Sequence, residues 1–437
     1  MRSRRTTVFA VLSLLMISIS CQITEKAAPL ITASAPPNPT IPPAIPSTQA
    51  VIATPTNPST AVPSLTTGIN SGPFRLVAYV DEVLSGNFKE LVSTSDGTLW
   101  LISDQGVAKI EGTVIKVYLA DYEGTIAGID AAGRVWVVNE DTSQIAAWNG
   151  QAWSTYGNDD GWTPLNANYY QYVHGGEIDL QGWVWFATPQ DVRAFDGNKW
   201  KVYTPGEMGF ELPVQEDIET RFEVSILKSG TVWVAECDWV GPGPSGGSGV
   251  RWFEKGIWQG ALSAVASGCA IEIAEDSSGY VWAGIDSNLW RYDPALATWI
   301  QFTSPKPPIK DMRFGFIESL AVDPSGAVWS VLDLCGGASC YVYSVRYLFR
   351  DGQWTQVGTT AQYDYYWGPI TASSGTGWFS WEGGIYQFDG ASTDLVSPLN
   401  SKFGVMDKDE RVWFVVSEKG RDMLWVLARP FDASRNK

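Results

Sequence analysis

The chain has 437 residues, 47 of them acidic and 30 lysine or arginine, so its formal net charge is −17. A negative net charge argues against binding to nucleic acid and against direct adhesion to anionic lipid. His174 is the sole histidine, so a histidine metal cluster is excluded, as is any Ser–His–Asp triad that does not contain it. We therefore predict no cofactor, no metal site and no catalytic residue, and we expect a binding role.

The first twenty residues predict export from the cytoplasm. Arginines among the first five residues precede an apolar stretch from Val8 to Ile19, which is too short to span a membrane. Cys21 follows, and the arrangement resembles a bacterial lipoprotein signal, in which the cysteine becomes the lipid-bearing first residue. A plain secretory signal cleaved nearby is the alternative. We expect residues 1–20 to be a signal peptide, Cys21 the lipid attachment site, and the protein an extracytoplasmic, membrane-anchored lipoprotein of a bacterium.

Residues 21–72 predict a disordered tether that is rich in proline, threonine and serine. No charge occurs between Lys26 and Arg75, and no aromatic residue between Phe9 and Phe74. Such a composition cannot bury a core and stays extended. Proline-rich linkers reach roughly 3 Å per residue, so the tether would hold the following domain on the order of 100 Å from the membrane.

Residues 73–430 repeat one short phrase, a glycine turn followed by a tryptophan within a run of β-formers. Successive tryptophans are 36, 49, 48, 49, 47, 49 and 35 residues apart. A regular period of this size indicates a repeat architecture. The repeated tryptophans are Trp100, Trp136, Trp185, Trp233, Trp282, Trp329, Trp378 and Trp413. We expect them to be core residues.

The phrase reads roughly D-x-x-G-x-V-W. Glycine stands three residues before the tryptophan in all copies except the last, where Glu410 takes its place. The glycine accepts a positive φ, and the aspartate hydrogen-bonds to the backbone of the turn. Five copies have the aspartate, at Asp130, Asp179, Asp276, Asp323 and Asp407.

A second phrase follows in each repeat: a strand, a tight Asp-Gly or Asn-Gly turn and another strand, as in the segment from Val192 to Trp200. Each repeat therefore contains four strands, and four-stranded units of this length arranged radially are propeller blades. The last repeat lacks its fourth strand, and the lone strand Phe74–Val80 belongs to no complete repeat. We predict an all-β, eight-bladed β-propeller closed by this N-terminal strand, with a tail at 431–437. Seven blades are the alternative count; a β-helix and two stacked sandwiches are the alternative folds.

Four cysteines remain beyond Cys21. Cys335 and Cys340 flank a four-residue loop, and Cys237 and Cys269 lie in adjacent repeats. An even number in an exported chain predicts two disulfides, because export favours oxidation. A zinc site is the weaker alternative, since no CxxC spacing is present.

Three long insertions are predicted to lie on one rim of the propeller and to carry most of its exposed aromatic residues. Tyrosine and tryptophan are rigid apolar plates with a polar handle, and they suit sugar faces and extended peptides. The alternative is that these rings only pin the loops to the rim. The candidate ligand-binding residues are Trp162, Tyr169, Tyr170, Trp239, Tyr363, Tyr365, Tyr366 and Trp367.

The repeated phrase resembles the two-component regulator propeller repeat, most closely at Asp276–Trp282 and Asp323–Trp329. The resemblance covers about residues 74–430. It implies an extracytoplasmic sensor propeller of the kind that often governs glycan use. No kinase-like segment follows the repeats in this sequence, so we expect this chain to share only the recognition scaffold of that family. The repeats are also distantly similar to streptogramin lyase, a propeller enzyme.

The sequence thus predicts a monomeric cell-surface or periplasmic propeller that binds an extracellular carbohydrate or peptide on an aromatic, loop-rich face. A scaffold for other envelope proteins is the second hypothesis. A propeller lyase or hydrolase is the third, because carboxylates such as Glu219 are plentiful near the insertions.

Overall fold

A computed structural model describes most of the repeat region. The described residues are 70–71, 74–94, 97–112, 114–120, 122, 124–139, 144–163, 165, 173–211, 218–240, 243–260, 268–323, 325–336, 339–361, 370–372, 376–381, 384–388, 392–399, 401–418 and 420–427. The predicted signal peptide, Cys21, the tether up to residue 69 and the tail lie outside them.

The described strands fall into eight antiparallel units, which we number as blades 1 to 8 in chain order. Blades 2 and 3 are joined into one eight-stranded sheet by a single parallel pairing of Gly128 with Gly175, and the last sheet has five strands. Two strands precede blade 1: β1 (Asn70–Ser71) and β2 (Phe74–Tyr79). Blade 1 contains β3 to β6 (Phe88–Ser93, Leu99–Ser103, Gly106–Glu111, Val114–Ala120). Blade 2 contains β7 to β10 (Thr125–Ile129, Val135–Val138, Ile145–Trp148, Trp153–Tyr156). Blade 3 contains β11 to β14 (His174–Ile178, Val184–Ala187, Val192–Phe195, Trp200–Tyr203).

Blades 4 and 6 have the longest strands. Blade 4 contains β15 to β18 (Glu219–Ile226, Val232–Val240, Gly243–Glu254, Ile257–Gly260). Blade 5 contains β19 to β22 (Ala270–Glu275, Val281–Ile285, Asn288–Asp293, Thr298–Phe302). Blade 6 contains β23 to β26 (Arg313–Val322, Val328–Gly336, Ser339–Arg350, Gln353–Ala361). Blade 7 contains β27 to β30 (Ile370–Thr371, Gly377–Trp381, Gly384–Phe388, Thr393–Ser397).

The last blade borrows its outer strand from the beginning of the propeller. It contains β31 to β33 (Ser401–Met406, Val412–Glu418, Arg421–Leu427), and β2 pairs antiparallel with β33, from Phe74 opposite Leu427 to Tyr79 opposite Met423. The predicted closing strand is therefore confirmed. Short helical turns complete the elements: α1 (Pro205–Met208) and two 3-10 turns at Val80–Glu82 and Asn158–Asp160.

Every seam between neighbouring blades contains a cluster of buried apolar side chains. The seam between blades 8 and 1 is of the same kind, because Trp413 and Val415 pack with Leu91 and Leu101. The ring is thus closed by packing as well as by strand exchange, and the predicted β-propeller is confirmed. All eight repeated tryptophans are buried, with at most 4 % of any side chain exposed, as the sequence predicts.

The repeated aspartate has two bonding functions, of which the sequence predicts one. In blade 3, Asp179 Oδ1 accepts hydrogen bonds from the backbone N–H groups of Gln181 and Trp183, as expected for a turn cap. Its Oδ2 accepts the indole N–H of Trp185 at 2.8 Å. The same aspartate–indole bond recurs in blades 2, 5 and 8. The buried indole nitrogen has no hydrogen-bond partner in blade 1, where Thr94 replaces the aspartate, in blade 4, where Leu227 does, or in blade 6, where Asp323 is retained but contacts Arg350.

The turn glycines have the positive φ that the phrase predicts; Gly279 has a φ of 82°. Glu410, which replaces the glycine in the last repeat, adopts the same left-handed conformation with a φ of 57°. We expect Gly279→Ala to lower the free energy of unfolding by about 1 kcal/mol, because a β-carbon strains this conformation. No atom lies within 4 Å of the position of that added carbon, so backbone strain is the only cost.

The matched control for Gly279→Ala is Gly206→Ala in α1. Gly206 has equally open space around it, and its φ is not in the left-handed region. The control should be neutral or slightly stabilising, because alanine reduces the freedom of the unfolded chain. Chemical denaturation of both variants measures the difference. Equal stability of the two variants would contradict the assignment of strain to the turn.

Candidate ligand-binding surface

The propeller has two faces that carry different connections. The upper face carries the turns between the second and third strands of each blade and the connections between blades. The lower face carries the D-x-x-G turns and the turns between the third and fourth strands. The repeated phrases are therefore confined to the lower face. The irregular segments of the sequence lie on the upper face, which makes it the candidate for recognition.

Two long hairpins rise from the upper face on either side of a short one. In blade 4 the second strand has nine residues and the third twelve, and blade 6 has the same lengths. The corresponding strands of blade 5 have five and six. At about 3.3 Å per residue, four additional residues raise a hairpin on the order of 13 Å. We call the depression above blade 5, between these hairpins, the saddle.

The floor of the saddle is the turn that follows β20, together with the segments hydrogen-bonded to it. Asp286 Oδ1 accepts the N–H of Cys269 at 2.9 Å, and the Asp286 N–H donates to the Cys269 carbonyl at 2.7 Å. The Asp286 carbonyl accepts the N–H of Ile317 in blade 6, also at 2.7 Å. Gly268 has no room for a side chain, because an added β-carbon would meet the Asp286 carboxylate. The floor therefore ties blades 4, 5 and 6 together through backbone bonds.

One wall of the saddle presents Trp239, at the end of β16. The guanidinium of Arg221 lies over its ring, 4.3 Å from the ring centroid. The edge of the ring meets Phe316 of blade 6, with centroids 5.8 Å apart, so the side chain reaches across blade 5. Arg221 is also paired with Glu219, 3.1 Å from nitrogen to oxygen. Trp239 and Arg221 are only partly buried, so a fixed aromatic and cationic surface faces the saddle.

The other predicted ligand-binding residues do not join Trp239 in the described part of the chain. Tyr169, Tyr170, Tyr363, Tyr365, Tyr366 and Trp367 lie outside the described residues. Trp162 is described, but its position does not support ligand contact.

Trp162 is fully buried, so its ring is not available to a ligand in this structure. It packs edge-on against Trp200, with centroids 4.8 Å apart. The buried guanidinium of Arg193 lies 4.1 Å from its centroid. Arg193 also forms a two-point ion pair with Asp191 and donates to the Thr163 carbonyl. A buried arginine needs such partners, and Trp162 is one of them.

The disulfide prediction is confirmed for the first pair. Cys237 is bonded to Cys269, which joins the second strand of blade 4 to the connection that enters blade 5. Cys335 is also disulfide-bonded, whereas the side chain of Cys340 lies outside the described part of the structure. Cys237 and Cys335 stand near the upper ends of the two raised hairpins, on the same face, as predicted.

Buried carboxyl groups lie beneath the raised hairpins, and the sequence gives little sign of them. Burial raises the pKa of Glu236 to about 8, and Asp238 beside it adds to the shift. One Glu236 oxygen accepts the Ser248 N–H, and the Thr220 hydroxyl donates to Asp238 at 2.7 Å. Glu236 is completely inaccessible to solvent, so in this structure the pair is not exposed to a substrate.

A similar pair lies in blade 6. Burial and the neighbouring Asp333 raise the pKa of Glu318 to about 9. Asp333 is fully buried and accepts the hydroxyl of Ser344 at 2.6 Å. Glycosidases also use paired carboxyls, but theirs must reach a sugar. Glu318 is only partly buried, but Asp333 is inaccessible, so neither pair presents two exposed carboxyl groups and neither supports the hydrolase hypothesis.

The innermost strands carry a further series of glutamates. Glu177 accepts the N–H of Ile226 in the next blade at 2.6 Å, and Glu272 similarly accepts the N–H of Leu320. Burial raises the pKa of Glu272 to about 7. Each of these two glutamates fastens an inner strand to the inner strand of the next blade. The sequence could have identified these glutamates, because each lies eight to eleven residues before a repeated tryptophan. The series consists of Glu90, Glu177, Glu223, Glu272 and Glu318.

A cavity of about 450 Å³ lies on the lower face, in the seam between blades 8 and 1. Most of the charged groups around it are already paired. Arg411 contacts Asp407 at 2.6 Å and Asp409 at 3.2 Å, and Glu111 contacts Lys116. The cavity therefore offers a ligand fewer available charges than the saddle does.

Within the described residues, no group of three or more histidine, cysteine or acidic side chains has the arrangement of a metal site. The helices among these residues are too short or too polar to cross a membrane.

Comparison with known proteins gives structural neighbours and no family. No family model matches the sequence, and no curated protein matches it. The extracellular domain of a putative one-component system from B. thetaiotaomicron is 14% identical, with a TM-score of 0.38. The match covers 76% of this chain and 50% of that one. The extracellular domain of a putative hybrid two-component system from the same organism is also 14% identical, with a TM-score of 0.27 and coverages of 80% and 59%.

The Dos1 propeller is 13% identical, with a TM-score of 0.49, and the match covers 78% of this chain and 89% of that one. The chain thus spans about half the length of the one-component domain and three fifths of the hybrid domain. These similarities concern the fold alone. The fold assignment rests on the strand order described above, and the function has to be argued from the upper face of this chain.

Proposed function

We propose that the protein is an extracytoplasmic, lipid-tethered propeller that binds an extracellular carbohydrate or peptide in the saddle. The observation that carries the proposal is the partly exposed Trp239, which Arg221 and Phe316 hold in place between two raised hairpins. A preformed aromatic surface in a depression is what a sugar ring or an extended peptide requires, because little ordering is needed on binding.

The surrounding structure favours a rigid site. A disulfide and the Asp286 hydrogen bonds join the wall and the floor of the saddle. The lipoprotein-like signal and the proline-rich tether would place this site outside the cytoplasm, at a distance from the membrane. The resemblance to the two-component regulator propeller repeat is in keeping with recognition of an extracellular molecule.

We expect Trp239→Ala to weaken binding of the ligand by about a hundredfold, since removing an aromatic side chain at the centre of a site typically costs 2 kcal/mol or more. The full-length chain is first screened against glycan and peptide libraries. Isothermal titration with the strongest binder then compares the variant with the unmodified protein.

The matched control is Trp183→Ala. Trp183 is also partly buried, but it lies in a lower-face turn and stacks on Trp185. It should leave the affinity unchanged. Screens that find no binder, or equal losses for the two variants, would count against a ligand site in the saddle.

The scaffold hypothesis is favoured by a different observation. Apolar side chains are exposed on the outer strands of blades 4 and 5, where Ile257 is 63 % exposed and Ile300 is 42 % exposed. An exposed outer strand with apolar side chains can pair with another protein. Cross-linking in intact cells followed by mass spectrometry distinguishes the two hypotheses, because a scaffold would be captured through these edges and a ligand-binding protein would not.

A further inference from the structure

The connection between blades 5 and 6 carries three exposed cations beside the saddle. We propose, resting on the proposed function, that the saddle selects an acidic oligosaccharide whose carboxylate or sulfate groups contact Lys306, Lys310 and Arg313. These three residues occur within eight positions of one segment, with Asp311 as the sole acidic residue among them.

The structure shows no partner for the three cations among the residues that it describes. All three side chains are exposed, and none makes an ion pair or a hydrogen bond with a described residue. Arginines elsewhere are commonly paired, as Arg134 is with Asp130 at 2.6 Å and Arg421 is with Asp81 at 2.9 Å. Unpaired cations on a chain of net charge −17 create a local positive field, which attracts anions to this place and repels them elsewhere.

The segment that carries them has a fixed course across the saddle. It begins beside the floor, where the Ser304 side chain donates to the Ser287 carbonyl and its N–H donates to Asn288 at 3.4 Å. It ends at β23, where Ile309 and Met312 pack into the seam between blades 5 and 6. Pro305, Pro307 and Pro308 restrict the backbone between these points. The charges are therefore presented with little loss of backbone freedom on binding.

The neighbouring groups favour a sugar over an acidic peptide. Trp239 supplies a planar apolar surface for the face of a sugar ring. The exposed carboxylate of Asp286, held by the Cys269 N–H, is placed to accept hydrogen bonds from hydroxyl groups. A polyglutamate chain would gain from the cations, but it has no hydroxyl groups to donate to this carboxylate and no ring face to stack on the tryptophan. A uronate or a sulfated sugar can contact the cations, the Trp239 ring and the Asp286 carboxylate.

The test measures binding of the full-length chain to four probes of similar length: an oligogalacturonate, a sulfated oligosaccharide, a neutral cello-oligosaccharide and polyglutamate. We expect tighter binding of at least one acidic glycan than of the neutral glycan and of polyglutamate. The affinity should fall as salt is raised. Combining Lys306→Ala, Lys310→Ala and Arg313→Ala should weaken acidic-glycan binding on the order of tenfold.

The control combines Lys199→Ala, Lys228→Ala and Lys408→Ala, which removes the same charge from exposed lysines of lower-face turns. It should leave the affinity unchanged. A loss with this control instead would place the anion site on the lower face and overturn the inference. Equal binding of polyglutamate and the acidic glycans would overturn the preference for a sugar.

The failure of this inference is distinguishable from failure of the proposed function. If a neutral glycan binds and Trp239→Ala abolishes its binding while the cation variant has no effect, the saddle is a ligand site and the acidic specificity is wrong. If none of the probes binds, and the glycan and peptide libraries also yield nothing, both proposals fail.

Discussion

Raising the pH from 5 to 9 should lower the free energy of unfolding by several kcal/mol, because one buried and two partly buried glutamates prefer to stay protonated in the folded state. Burial raises the pKa of Glu272 to about 7, that of Glu236 to about 8 and that of Glu318 to about 9. Each unit of pKa difference between the folded and unfolded states corresponds to about 1.4 kcal/mol, before screening by solvent.

The direction follows from the protons bound in each state. Below about pH 4.5 both the folded and the unfolded chain hold these protons, so the glutamates do not oppose folding. Between that value and the folded-state pKa, the unfolded chain releases protons that the folded chain retains, and unfolding becomes easier as pH rises. Above about pH 9 both states are ionised, and this contribution stops changing. Denaturant titrations at intervals of one pH unit measure the profile.

The Glu318→Gln variant isolates the contribution of Glu318 to the pH dependence of stability. An amide retains a donor toward Asp333 and cannot ionise, so the variant should lose less stability than the unmodified protein between pH 6 and 9. Glu111→Gln is the control. Lys116 lowers the pKa of Glu111, so this group titrates below the window and its removal should not alter the slope. A profile that is flat for the unmodified protein would show that the carboxyl pairs are ionised and solvated.

Breaking the disulfide between Cys237 and Cys269 should cost about 3 kcal/mol of stability. The bond closes a loop with a sequence separation of 32 residues, and a cross-link of that length restricts the unfolded chain by roughly this amount. It also joins blade 4 to the segment that bonds Asp286, so its loss should weaken the saddle along with the fold. Thermal unfolding and ligand titration of Cys237→Ala combined with Cys269→Ala measure both effects.

Reductant provides the matching comparison. Added to the unmodified protein, it should cause at least the loss seen in the double variant, because it also breaks the bond of Cys335. Added to the double variant, it should cause only the further change that comes from the bond of Cys335. Intact mass before and after reduction should differ by four hydrogens if both predicted disulfides are present. Ready labelling of Cys237 or Cys269 in the native, unreduced protein would contradict the assignment.

The fold was largely predictable because it depends on local chemistry that repeats. The aspartate, glycine and tryptophan of each D-x-x-G-x-V-W phrase act within one turn, so their spacing is sufficient to place two strands and a buried indole. The closing role of Phe74–Tyr79 was predictable as well, since an incomplete last blade requires an outer strand. The aspartate–indole bond was missed, although its constant six-residue spacing was visible.

The candidate site was much less predictable. Trp239 and Trp162 both stand in irregular, aromatic insertions and look equivalent in the sequence. Their environments differ because the buried Arg193 occupies the space beside Trp162, whereas Trp239 is held at the surface by Arg221. The cations of the segment from Lys306 to Arg313 also gave no signal. Their importance depends on having no partners, and partners come from distant parts of the chain.

By itself, the sequence determined the repeat, the strands, the closure of the ring and the first disulfide. All of these follow from patterns within a few residues or from the period between them. Only the tertiary structure decided which aromatic ring is exposed, which carboxyl groups are buried against each other, and which lysines remain unpaired above blade 5. Exposure and charge pairing depend on residues that are remote in sequence and become neighbours only when the blades pack around the ring.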